Sequence, residues 1–83
     1  MLDLPKELRD AVKTAEETLG VEVPENLILD VLIYARRKLD GIKQRYPEYT
    51  DDYLPILFEN EIRDCYTRGY INTVSEIMRG ARV

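Results

Sequence analysis

The residues able to do chemistry in this chain are few, and their spacing keeps most of them apart. Asp51-Asp52 and Glu59/Glu61 are the close carboxylate pairs. Adjacent residues, or residues two apart on a helix, point in different directions, so neither pair converges on one metal ion or one proton. There is no His, which removes the commonest general base and the commonest zinc ligand. Cys65 is the single cysteine and falls on an apolar stripe; with no imidazole to activate it, it reads as a core residue rather than a nucleophile. The four glycines are scattered and build no phosphate-cradling loop. These residues give no enzyme, no cofactor site and no metal site.

What remains is surface chemistry. Charge runs in blocks: residues 1–30 are net −5, 36–45 net +4, 48–64 net −5 and 68–83 net +2. One reading is a helix bundle whose antiparallel helices pair opposite charges across their seams, helped by acids near helix N-termini and bases near C-termini. The other is a molecule with two unlike patches, suited to head-to-tail association. Tyrosine is enriched, with Tyr34, Tyr46, Tyr49, Tyr53, Tyr66 and Tyr70 against one Phe and no Trp. Its apolar body and polar tip suit surfaces that are partly wet and partly covered by a partner. Tyr34 reads as core rim, and Tyr49 and Tyr70 as interface.

The basic block holds Arg36, Arg37, Lys38, Lys43 and Arg45, but the sequence pI near 4.8 has the wrong sign for a phosphate binder. Residues 61–79 have the outline of a helix-turn-helix, with Cys65 as the small residue and Gly69 at the turn. Arg68 and Ser75 stand where apolar residues belong, and the second helix offers almost no base-reading side chains. Nucleic acid is therefore disfavoured. No apolar run is long enough for a membrane span, the first residues turn acidic without the apolar stretch of a signal peptide, and a lone cysteine fits a reducing compartment.

The elements that must carry these side chains are helices. The chain has 83 residues, 45% hydrophobic and 34% charged, the balance of one small globular domain. Leu4, Leu8, Ala11, Val12, Ala15 and Leu19 recur at helical spacing. Asp3 is the expected cap, Pro5 lies in the first turn and Gly20 closes the helix. Pro24 is expected at the first position of a second helix running to Tyr46, with Pro47 stopping it. Ile28, Val31, Leu32, Ala35, Leu39 and Ile42 make its stripe, and Leu27, Leu29, Ile33 and Tyr34 widen it, so this helix is expected to be the central one. Gly41 at the stripe's edge suggests a close approach or slight bend.

Thr50 is expected to cap the next segment. Pro55 then poses two options: a helix begun at Asp51 and kinked, or a helix that truly begins near Leu54. Leu54, Leu57, Phe58, Ile62, Cys65 and Tyr66 form its buried face, and Gly69 ends it. Thr73-Val74-Ser75-Glu76 fits a capping box, opening a helix of barely two turns closed by Gly80. The expected fold is all-α: a three-helix bundle with a short fourth C-terminal helix or tail, with helices near 4–19, 24–46, 51–68 and 74–79.

Laid out this way, the chain resembles the small helical head–tail connector (adaptor) proteins of tailed bacteriophages. Val12-Lys13 followed by Leu19-Gly20-Val21 resembles their first "K-x-x-LG" turn. Leu29, Leu32, Ile33, Ala35 and Arg36 resemble an "LL-x-x-LI-x-x-A" run. Tyr66-Thr67-Arg68-Gly69, then Ser75-Glu76, then Gly80 follow the order of a Tyr–basic–Gly element with a Ser-Glu and a Gly after it. Tyr70-Ile71-Asn72 stands where a second Gly is expected. The resemblance implies a non-enzymatic adaptor in the virion neck or the host cytoplasm. Such a protein self-associates below a portal and bridges it to neck or tail proteins. The implied partner-contacting residues are Arg36, Arg37, Tyr49, Tyr66, Arg68, Gly69, Tyr70, Ser75 and Glu76. Two other readings stand beside it: a small acidic regulator or inhibitor binding a protein through residues such as Asp51 and Asp52, and, behind that, a helix-turn-helix DNA binder.

Overall fold

A computed structural model describes residues 3–69. Within them lie three α-helices and one short 3₁₀ turn, with no strand: α1 (Lys6–Leu19), α2 (Glu25–Arg45), the 3₁₀ turn (Asp51–Tyr53) and α3 (Leu54–Thr67). The expected fourth helix near 74–79 falls outside the described residues.

Two helix starts differ from the sequence reading in the same way. Pro24 sits one helical position earlier than expected and Pro5 two, as the residues that flank α2 and α1, both with extended ψ. The Pro5 carbonyl accepts from the amides of Leu8 and Arg9, and the Pro24 carbonyl from that of Ile28. A proline ring there fixes φ near the helical value and gives up an amide that no helix turn would have used. Asp3 therefore does not cap α1, and no side chain caps either helix. α2 is 21 residues, about 31 Å at 1.5 Å per residue.

The helix ends follow the expectation more closely. Gly20 closes α1 at φ 71°, a left-handed conformation that a β-carbon would strain, and its amide reaches the Glu16 carbonyl. Thr50 precedes the 3₁₀ turn, its hydroxyl accepting from the Asp52 amide at 3.4 Å. Of the two options for Pro55, the second holds: α3 starts at Leu54 and Pro55 lies in its first turn, where its missing N–H costs nothing. Gly41 is exposed, and a β-carbon there would meet nothing within 4 Å; the expected close approach is absent.

The larger correction concerns the centre. α3, not α2, is the element that packs extensively on both others. It supplies Phe58, Ile62 and Cys65, among the most deeply buried large side chains. α1 contributes Leu8, Ala11, Val12 and Ala15, and α2 contributes Leu27, Ile28, Val31, Ala35 and Leu39. Apolar residues on all sides of a helix report burial without reporting which neighbour does the burying, and in fact Leu29 remains 43% exposed. The α1–α2 connector is held by a bond the sequence did not announce. Glu16 is half-buried, and its Oε2 accepts from the Val23 amide at 2.8 Å. That bond satisfies a backbone donor just ahead of α2 and sets Val23 into the core.

Candidate functional site

The antiparallel α2–α3 seam brings the basic and acidic blocks together. Lys38 Nζ lies 2.6 Å from Glu61 Oε1, and Lys43 Nζ lies 2.7 Å from Asp51 Oδ1. Glu61 is buried; Lys38 keeps its stem along the helix, with its ammonium also 5.5 Å from the centre of the Tyr34 ring. The hydrogen bond to Glu61 raises the Lys38 ammonium above its ordinary value, against the opposing pull of burial. The hydrogen bond from Lys43 lowers the Asp51 carboxyl, and Arg36 nearby adds to the effect. Cross-seam pairing thus accounts for part of the charge blocks. Arg37 and Arg45 are exposed and enter no ion pair among the described residues.

The residues expected to touch partners are spread along α3. Tyr49 lies in the turn ahead of it, and Arg36 and Arg37 lie on α2 beside Lys38, which meets Glu61 midway along α3. Tyr49 sits edge-on between Tyr46 and Tyr53, ring centres 6.2 and 5.1 Å apart, and these rings form a continuous aromatic chain around the turn. Tyr46 and Tyr49 are exposed; Tyr53 is half-buried against the core. At the C-terminal end of α3 are Tyr66, Arg68 and Gly69. Tyr66 is half-buried, and burial pushes its phenol up. Arg68 follows the last helical residue with its guanidinium exposed and a long 3.8 Å pair to Asp64. Gly69 has φ 74° and is exposed. A 14-residue helix, about 20 Å long, separates Tyr49 from Tyr66, Arg68 and Gly69, so the expected residues form no single site. Tyr70, Ser75 and Glu76 lie outside the described residues, as does the second helix of the helix-turn-helix outline.

Cys65 lies in the core with 1% of its surface exposed, and burial pushes its thiol up to about 11. A thiol so placed stays protonated near neutrality, which is the opposite of what a nucleophile needs. Among the described residues no group of His, Cys, Asp and Glu is arranged to hold a metal ion, and no helix is long and apolar enough to cross a membrane.

Two open grooves escaped the sequence reading, because each is made by residues of two helices. One, of about 320 Å³, runs between α1 and the start of α2, over Leu4, Val12 and Ile28 with Arg9 and Lys13 beside it. The other, of about 200 Å³, lies between α1 and the start of α3. Ala11 and Thr14 lie low in it, and Glu7, Asp10, Ile56 and Glu59 surround them. Ile56 is 56% exposed. No family model, no curated protein and no solved structure matches the chain.

Proposed function

We propose that the protein is a non-enzymatic structural adaptor. In this reading it self-associates and bridges a portal-like platform to a neighbouring neck or tail protein, as its resemblance to phage head–tail connectors implies. The observation that carries the reading is the C-terminal end of α3. There Tyr66, Arg68 and Gly69, the residues of the Tyr–basic–Gly element, lie at the end of the helix. An aromatic ring packed against the core, an exposed guanidinium and a glycine at positive φ stand together there. The buried, protonated Cys65 is in keeping with a protein that works by contact.

The acidic-regulator alternative draws less support. It relies on Asp51 and Asp52, and Asp51 is already engaged by Lys43, which leaves Asp52 as the outward acid of the pair.

Sedimentation of the chain with a purified tailed-phage portal ring tests the proposal. Co-sedimentation is expected, weakened when Arg68 is changed to Glu. A chain that stays free of the portal would overturn it.

A further inference from the structure

Two surfaces of this molecule are each partly apolar and carry opposite charge. The first is the outer strip of α2. Positions 29, 33, 36 and 37 share the side of the helix turned from Val31, Ala35 and Leu39. They place exposed Leu29 and half-buried Ile33 next to Arg36 and Arg37. Glu25 and Asp40 bound that side at its two ends as its acids.

The second is the α1–α3 groove. Ile56 stands at its edge, and Glu7, Asp10 and Glu59 surround it. Glu59 is paired with Arg63 at 3.5 Å, so Glu7 and Asp10, both exposed, carry its outward charge. A single exposed aliphatic residue is ordinary on any surface. An aliphatic residue beside two arginines, matched by another beside two acids on a different side of the same chain, is a complementary pair.

We propose that these surfaces dock on each other between copies: the strip at Leu29, Ile33, Arg36 and Arg37 of one molecule seats on the groove at Glu7, Asp10 and Ile56 of the next. The proposal rests on the self-association in the adaptor reading and gives it two faces. Because the faces differ, each copy keeps one of each kind free after docking. The contact therefore repeats head to tail and closes only if the rotation between copies completes a circle.

Sedimentation equilibrium on the full chain, with circular dichroism to establish that each variant is folded, provides the test. The wild-type chain should associate with rising concentration. Arg36→Glu with Arg37→Glu should weaken association about tenfold or more, as should Glu7→Lys with Asp10→Lys, through like-charge repulsion. Mixed in equal amounts, the two double variants should associate again. Each then offers one native surface, and the two reversed surfaces match each other. Ile56→Ser, at an exposed site, should weaken association with helicity retained. The proposal is overturned if the wild-type chain stays monomeric at millimolar concentration, if neither double variant changes association, or if mixing restores nothing. The portal experiment reads separately: portal binding that survives both charge reversals leaves the adaptor reading standing while these two faces fall.

Discussion

The two seams of α3 are built from different materials. Toward α1 the buried side chains are Leu8, Ala11, Val12 and Ala15, half of them alanine, so that side is dry and thin. Toward α2 an apolar half, with Val31, Ala35 and Leu39, gives way to a charged half that holds Lys38–Glu61 and Lys43–Asp51. Small apolar residues stabilise by letting helices come close, where every atom counts. Ion pairs at a partly wet seam add little energy, but they distinguish one register from another. The comparison teaches that the α1 side supplies strength by proximity, whereas the far end of the α2 side supplies direction.

Phe58 belongs to the shared centre and has no exposed surface. Phe58→Ala should therefore damage both seams at once, costing about 3–5 kcal/mol in denaturant unfolding; a loss below 1 kcal/mol would contradict the central place given to α3. Ala15→Leu, at a position with no exposed surface, addresses the α1 seam alone. Overpacking should cost about 1–3 kcal/mol, and a neutral result would show that α1 is looser than described.

The next effect appears at alkaline pH. Cys65 holds its proton up to about 11 in the folded state against an ordinary 9.0, so between those values the native state retains a proton that the unfolded chain releases. Stability must then fall as pH rises through that window. The raised Lys38 acts in the same direction: its contribution is full below the ordinary 10.5 and is lost as pH passes its higher folded value. Melting temperature should drop from about pH 8.5 to about pH 10.5, less steeply in Cys65→Ala; identical slopes would remove the thiol from the account.

Glu61→Ala leaves Lys38 free to hydrate, since nearly half of its side chain is already exposed. The cost should be about 1 kcal/mol. Smallest of all, Lys43→Ala faces an open partner and should leave the melting temperature unchanged within error at moderate salt. A clear drop there would mean that the outer seam contributes strength as well as direction.

Much of this framework was legible from residue spacing. Gly20, Thr50 and Pro47 mark ends because their effects are local: a positive φ, a hydroxyl within reach of the next amides, a missing donor. Pro24 stands one position, and Pro5 two, ahead of the places expected for them because a proline fits the flanking residue as well as the first helical turn. The choice of α3 as centre was not legible, since α2 carries the longer apolar stripe and only tertiary packing decides which helix is enclosed. Glu16 looked like any surface acid; its partner is a backbone amide seven residues on, invisible to side-chain patterning. The candidate contact residues were readable as types, but their spread along α3, and the groove around Ile56, required two helices to be set side by side.

The central position of α3 carries a consequence for the nascent polypeptide. α1 and α2 leave the ribosome before α3, the helix that must lie against both of them. Until Phe58, Ile62 and Cys65 clear the exit tunnel, the earlier helices have no surface on which to settle, and short helices are marginal alone. The three described helices therefore pack together only once α3 has emerged, and a ribosome stalled before residue 54 is expected to display a chain with helical tendencies and no fixed shape.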